Sequence, residues 1–372
     1  DDYDDTTRTN QLNIKRAWSN YNLNMDALWY DNVTARQNDT EDTTLQSLPA
    51  ITFSGMRQTL GVSPLYFELN SGYTHFFRQN TTDTLLNGQR MDLYPKIYLP
   101  FRWGGIQMEP SLGLRQTLWY TDDAKDSDDI QNGYSHREIF DINMDISTVF
   151  TRIFSLNTPT DRKIKHEVTP ALSYTFIPQV DQTDIPWFDD TDLIEEQNTL
   201  TWQLTQRLTS RQQLKKPANQ SGKTSPGHAY RELGWLKISQ DYHLSGEDED
   251  TDKPFSEIML DLELSPMPHL FLDTDLEWSP YGTGITSHNS AITITDDRQD
   301  SISVQYRYSQ ADEENDLHET ESIYTSIDFK LNPRLRAFLE YEKNLYEDET
   351  IEATTGIEFN RTCWSMQVSY TD

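Results

Sequence analysis

Apolar and polar residues alternate with a period of two along most of the chain, most regularly over residues 322–371. Ile323, Thr325, Ile327, Phe329 and Leu331 fall on one face, with Tyr324, Ser326, Asp328 and Lys330 on the other. After Asn332-Pro333-Arg334, Leu335, Ala337, Leu339 and Tyr341 alternate with Arg336, Phe338, Glu340 and Glu342. Trp364, Met366, Val368 and Tyr370 then share a face opposed by Cys363, Ser365, Gln367 and Ser369. Period two is the signature of strands with one apolar and one polar face. It predicts strands at 322–331, 335–345, 350–359 and 363–371, and eighteen between residues 8 and 371. No stretch carries a helical stripe. Most of these strands are longer than the 5–6 or so residues of soluble strands and reach the 9–11 or so that a tilted membrane strand needs.

The connections alternate in character. Short ones lie near Ser19 and at 60–62, 102–105, 265–268, 297–299, 332–334 and 360–362; longer, often acidic ones lie at 33–47, 121–133, 179–195, 245–254, 310–321 and 346–349. In an up-and-down meander these two sets sort onto opposite ends, as short periplasmic turns and long outer loops do in outer-membrane barrels. Segments 152–163 and 209–230 break the pattern, the second as a basic excursion with Arg211, Lys215, Lys216 and Lys223. Trp29-Tyr30, Trp119-Tyr120, Tyr281, Tyr306, Tyr308, Tyr341 and Tyr346 near the long-loop ends, and Trp103, Trp235 and Trp364 near the short-turn ends, fit two interfacial girdles.

Composition narrows the environment. A chain of 372 residues with 35% hydrophobic and 12% aromatic content is too aromatic for a disordered acidic chain. The formal net charge of −30 argues against nucleic acid and anionic membrane surfaces as direct partners. No run of eighteen apolar residues is present, which excludes a transmembrane helix but not a barrel, where only alternate residues face lipid. The chain begins at Asp1 without an initiator Met, so a processed or cut chain is expected.

Motifs for catalysis are missing: no phosphate-binding or dinucleotide glycine loop, no His-Glu-x-x-His, no nucleophile elbow and no Cys-x-x-Cys. No enzyme activity and no cofactor are expected. The eight His residues lack metal-ligand spacing; His136 and His318 lie beside acidic loops and read as solvated. Asp122 and Asp123, then Asp248, Glu249 and Asp250, then Asp312, Glu313 and Glu314 form acidic loop runs. Hard divalent cations prefer oxygen ligands, so these runs are candidate Ca²⁺ or Mg²⁺ contacts, although none has the pattern of an EF-hand loop.

The order of several phrases is more specific. Leu48-Pro49-Ala50-Ile51-Thr52-Phe53 precedes Leu65-Tyr66-Phe67-Glu68-Leu69 and Gly88-Gln89-Arg90-Met91-Asp92-Leu93-Tyr94-Pro95. Pro110-Ser111-Leu112-Gly113-Leu114-Arg115-Gln116-Thr117, His166-Glu167-Val168-Thr169-Pro170-Ala171-Leu172-Ser173-Tyr174 and Asn198-Thr199-Leu200-Thr201-Trp202-Gln203-Leu204 follow, and Cys363-Trp364 closes the series. In these phrases the chain resembles the C-terminal barrel of the LptD family of lipopolysaccharide-assembly proteins. The resemblance implies an antiparallel up-and-down transmembrane β-barrel of 26 strands in the bacterial outer membrane. It also implies a periplasmic β-jellyroll fed by an LptA-like bridge, an LptE-like lipoprotein plug, and lateral release of lipopolysaccharide between the first and last strands. Residues 1–372 are then expected to be a single barrel domain cut at both ends, without the jellyroll. Cys363 would form a disulfide with a cysteine near that jellyroll. Arg336, Glu340, Ser365 and Gln367 would face the lumen, and outer-membrane lipid the opposite face. The rivals are a porin or solute-receptor barrel and a soluble carbohydrate-binding β-protein.

Overall fold

A computed structural model of the chain describes residues 7–38, 44–79, 85–123, 133–156, 162–213, 227–245, 253–311 and 318–372. The strands are β1 (Thr7–Ala17), β2 (Tyr21–Asn32), β3 (Gln46–Thr59), β4 (Tyr66–Gln79), β5 (Leu85–Tyr98), β6 (Phe101–Trp103) and β7 (Ile106–Asp123). They continue as β8 (Gly133–Thr148), β9 (Phe150–Ser155), β10 (Lys163–Ile177), β11 (Gln197–Gln213), β12 (His228–Ser245), β13 (Ile258–Met267) and β14 (Leu270–Ser279). The last are β15 (Gly284–Thr295), β16 (Ser301–Ser309), β17 (Thr320–Asn332), β18 (Leu335–Asn344), β19 (Glu349–Asn360) and β20 (Ser365–Thr371). All belong to one sheet, in which successive strands pair antiparallel, save that β5 pairs β7 past the short β6 and β8 pairs β10 past the short β9.

This is the up-and-down antiparallel architecture expected from the alternation, with twenty strands where the pattern predicts eighteen. Two short strands account for the difference. Pro100 has no N–H to give the ladder, so β5 stops at Tyr98 and Phe101–Trp103 re-forms a short pairing with Ile106–Met108 across the Gly104 turn. The stretch expected as one strand over 134–151 divides at Val149, and its second half pairs with β10 from Phe150 opposite Val168 to Ser155 opposite Lys163. The anomalous connection at 152–163 therefore shrinks, because pairing occupies much of it. In the basic excursion, Arg211 lies within β11, whereas Lys215, Lys216 and Lys223 fall outside the described residues. The segment expected as loop 33–47 opens with a helix, α1 (Val33–Asn38), whose first turn is capped by Asn32 Oδ1 accepting from the Ala35 amide at 2.9 Å.

The chain forms two compact units. Unit 1 is Asp1–Ile146, Ser173–Leu200 and Leu244–Asp248; unit 2 is Ser147–Leu172, Thr201–His243 and Glu249–Asp372.

In unit 2 the closing hairpins take the faces that the alternation predicts. Phe329, Ala337, Ile357 and Val368 lie in one cross-strand row, and Leu335, Phe359 and Met366 in another. The opposite face carries Arg336 between Lys330 and Glu358, and Glu340 between Ser326 and Thr354. Phe338 interrupts that polar face opposite Gly356, and a Cβ at Gly356 would stand 2.6 Å from its ring, so only glycine leaves room. The last strand starts at Ser365 rather than 363, because Thr362 and Cys363 bend through the turn.

In unit 1 burial is inverted relative to a water-soluble protein. Met91, Leu93 and Ile97 on β5, Leu112, Leu114 and Leu118 on β7, and Phe140 and Ile142 on β8 are all exposed. The alternate positions, Arg90 on β5, Ser111, Thr117 and Thr121 on β7, and Arg137 and Asp141 on β8, are buried. Over the described residues of the whole chain, the buried set contains fourteen polar or charged residues and four hydrophobic ones. Burial of polar groups is favourable only when they are hydrogen-bonded, and exposed apolar surface only when something other than water covers it. A lipid solvent on the apolar face satisfies both conditions, as in membrane barrels. This pattern is incompatible with the rival of a soluble β-protein. No helix among the described residues is long and apolar enough to cross a membrane, which says nothing of strands.

Polar-face ties reach beyond neighbouring strands. Arg57 on β3 pairs with Glu109 on β7 through two hydrogen bonds of 2.6 and 2.9 Å, over the rings of Tyr66 and Tyr98 on the intervening β4 and β5. Tyr94 and Lys96 of β5 meet Asp141 of β8 at 2.6 and 3.1 Å.

Candidate functional site

The most elaborate polar assembly lies in unit 1, where residues 178–196 connect β10 to β11. This segment folds down onto the polar face of β4, β5, β7 and β8. The sequence pattern explains the platform: alternation puts Arg90, Asp92, Arg115, Thr117, Trp119 and Arg137 on the face opposite the exposed leucines. The descending segment supplies the carboxylates.

Asp192 is the hub and its side chain is 1% exposed. Its Oδ1 accepts from Trp119 Nε1 at 2.7 Å and from Arg90 Nη1 at 2.8 Å. Its Oδ2 accepts from the backbone amides of Phe188 and Asp189 at 2.7 and 3.0 Å. Four donors satisfy a carboxylate, so the buried charge is both paired and hydrogen-bonded. Asp189 adds a fork to Arg90, Nη1 to Oδ1 at 2.5 Å and Nη2 to Oδ2 at 2.8 Å.

Arg137 grips the backbone of the same segment. It donates to the carbonyl oxygens of Asp192 and of Thr191, the latter at 3.0 Å, and to Gln182 Oε1 at 2.8 Å. Gln182 closes the segment on itself, its amide donating to Ile194 O at 2.7 Å and accepting from Ile194 N at 3.1 Å. An apolar anchor completes the seat. Phe188 stacks on Phe76 with centroids 4.4 Å apart and planes 5° from parallel. Gly88 makes this possible: a Cβ there would lie 2.2 Å from the Phe188 ring. Trp187, the neighbouring residue, is exposed.

Electrostatics hold the segment down at neutral pH. Burial alone would raise the Asp189 carboxyl, but the hydrogen bonds and charge of Arg90 outweigh it and leave the pKa below the ordinary aspartate value. A depressed carboxylate contributes stability above its unfolded pKa, about 4, and loses that contribution as pH falls through the folded value. Amide exchange of residues 180–194, measured relative to the β7 ladder, is therefore expected to be unchanged from pH 7 to 5 and to accelerate below about pH 4. Acceleration already complete at pH 6 would contradict this assignment.

The residues singled out from sequence fare differently. Arg336 pairs with Asp328, and with Glu358 at 3.3 Å; Glu340 and Gln367 lie on the same polar face, Gln367 opposite Glu358, and Ser365 pairs with Asn360. Cys363 is free and exposed. Asp122 is exposed near the end of β7, and Asp123 is the last residue of that strand. Asp248, Glu249, Asp250, Asp312, Glu313 and Glu314 lie outside the described residues. Among the described residues no group of three or more His, Cys, Asp or Glu is arranged to hold a metal ion. Of the expected girdle, Trp103, Trp364 and Trp29 are exposed, but Trp119 is 1% exposed and turned to the polar face, because only one member of an adjacent pair can point outward; Tyr120 does so. Trp235 likewise donates to Glu263 across the polar face, at 2.9 Å.

Sequence reading missed Arg90, Arg137, Asp189 and Asp192 as a set. The available signal was charge at same-face positions of successive strands whose other face is aliphatic.

Comparison with known proteins supplies the family. The family model described as LptD, LPS transport system D, matches residues 1–335. The chain is similar to the LPS-assembly protein LptD of Marinobacter nauticus, 27% identical over 349 residues, covering 86% of this chain and 40% of that protein. It is 21% identical over 306 residues to the LPS-assembly protein LptD of Cupriavidus necator, covering 76% of this chain and 36% of that one. A third LPS-assembly protein LptD, of Nitrosococcus oceani, is 30% identical over 95 residues, covering 26% of this chain and 12% of that one. The chain thus spans about two fifths or less of the length of these relatives. Among solved structures, the ferric-catecholate import receptor Fiu of E. coli aligns over 98% of this chain and 68% of its own, at 7% identity and a TM-score of 0.30. The copper transporter OprC aligns over 98% and 66%, at 10% identity and 0.27. Scores so low carry no weight for the fold, and the assignment rests on the family match. The chain belongs to the LptD family, LPS transport system D.

Proposed function

We propose that the protein forms much of the wall of an outer-membrane translocon that assembles lipopolysaccharide into the outer leaflet without covalent chemistry. The protein lies in the bacterial outer membrane, where the exposed aliphatic face meets lipid. In this reading the polar face lines a lumen, and Arg336, Glu340, Ser365 and Gln367 belong to that lining. Family membership supports the substrate. The observation that carries the mechanism is segment 178–196, seated on the polar face by Asp192, Arg90 and Arg137. It connects strands at the long-loop end and would close the lumen there until substrate arrives. The complete protein would take lipopolysaccharide from an LptA-like bridge through a jellyroll, with an LptE-like lipoprotein inside and lateral release between terminal strands of a 26-stranded barrel. Cys363, exposed in its turn, would pair with a cysteine outside this chain.

The test is depletion of the full-length protein in its host. Newly made lipopolysaccharide is expected to stop reaching the cell surface while its synthesis continues, and a small lipoprotein to co-purify with the full-length protein. Undiminished surface lipopolysaccharide with lost uptake of a small solute would instead identify a porin or receptor.

A further inference from the structure

Segment 178–196 does to the wall what a small anionic ligand would do. Arg90 presents both terminal nitrogens to both oxygens of Asp189, the parallel fork that guanidinium uses for carboxylate and phosphate alike. Arg137, 4% exposed, is the odd member. Its donors end on neutral oxygens: the carbonyls of Thr191 and Asp192, the amide of Gln182 and, at 3.3 Å, the hydroxyl of Thr117. Arg115 brings a third guanidinium to this face, held by Asp92 at 2.9 Å, and the Asp92 carboxylate also accepts from Thr117 at 2.7 Å. Among the described residues, the hydrogen bonds of these three arginines reach only one carboxylate of the wall, that of Asp92. The other two belong to the connecting segment. If that segment lifted away with nothing in its place, Arg90 would exchange both its carboxylates for water and Arg137 most of its acceptors, losing the charge-assisted hydrogen bonds an anion supplies.

We propose that Arg90, Arg115 and Arg137 form an anion subsite for the phosphate groups of a passing glycolipid, and that Asp189 and Asp192 occupy it as a built-in substitute while the segment is down. Opening then exchanges one anion for another rather than stripping the guanidiniums bare. Arriving phosphate also repels the two aspartates it displaces. The source of the phosphate rests on the transport reading above; the subsite itself does not.

The experiment uses the full-length protein with its co-purifying partners in detergent, and three probes: inorganic pyrophosphate, a bis-phosphorylated lipid A disaccharide, and the same disaccharide without phosphates. Replacing both aspartates, Asp189→Asn with Asp192→Asn, is expected to tighten binding of the two phosphorylated probes by about tenfold or more and to leave the dephosphorylated one unchanged. Adding Arg137→Gln, or in a separate protein Arg90→Gln, is expected to abolish that gain. Heat-modifiable gel mobility verifies that each variant is folded, and having two arginine variants keeps the test decisive if one fails to fold. A gain with pyrophosphate alone supports the subsite and overturns the glycolipid as its source. Equal affinities before and after removal of the aspartates, or a gain that survives both arginine replacements, overturns the subsite.

Discussion

Replacing Asp192 by Ala is expected to free segment 178–196 from the wall. The substitution removes the acceptor of Trp119 Nε1, of one Arg90 donor and of two backbone amides, all at a side chain 1% exposed. Breaking a buried charge pair on one side typically costs about 3–5 kcal/mol. The protein has a cheaper escape than global unfolding: the segment lifts, and its orphaned groups find water. Its opening free energy therefore absorbs the loss, and a fall of about 3 kcal/mol raises the open population by more than about 100-fold. Hydrogen exchange of residues 182–194 measures this directly. Asp190→Ala is the control; Asp190 is exposed, and its loss should change exchange by less than about 0.5 kcal/mol. Equal protection in the two variants would refute the role given to Asp192.

Leu114→Arg should show what solvent the aliphatic face meets. Leu114 is 56% exposed near the middle of β7, with Leu112 and Leu118 on the same face. In water an exposed leucine-to-arginine change lies within about 0.5 kcal/mol of neutral. At a bilayer midplane it costs about 2–4 kcal/mol, falling to about 0–1 near the interface. Folding free energies in lipid vesicles are expected to place Leu114→Arg in the first range and Val62→Arg, in the exposed turn between β3 and β4, in the second. Equal values for the two positions would remove the lipid assignment of this face.

Much of the architecture was legible in residue order because period two is a local property. The closing hairpins show it best: the rows Phe329, Ala337, Ile357, Val368 and Leu335, Phe359, Met366 follow from counting alternate residues between turns. Failures occurred where alternation is silent or ambiguous. Counting could not see that Pro100 interrupts the ladder with β7, because the pairing resumes at Phe101 in the same register and with the same alternation. Alternation places Tyr120 with Leu112, Leu114 and Leu118 and Trp119 on the other face, so an adjacent aromatic pair at a strand end supplies one girdle residue and not two. The candidate site was the least legible part. Asp192 lies 102 residues from Arg90 and 73 from Trp119, in an irregular segment with no period of its own. Only half of the site was visible, in the parity that places Arg90, Arg115 and Arg137 opposite the leucines. The other half needed the fold of the connecting segment, which Gln182 and Ile194 fix through contacts that no periodicity encodes.

The Arg57–Glu109 bridge has a mechanical consequence. A ladder of hydrogen-bonded strands is stiff along each strand but flexes readily about the lines between strands. A bidentate tie from β3 to β7 spans two intervening strands and acts as a chord across the bend, with Tyr66 and Tyr98 as spacers beneath it. It sets a minimum curvature for that part of the wall and resists flattening. Any widening of this stretch would first have to stretch this guanidinium–carboxylate pair.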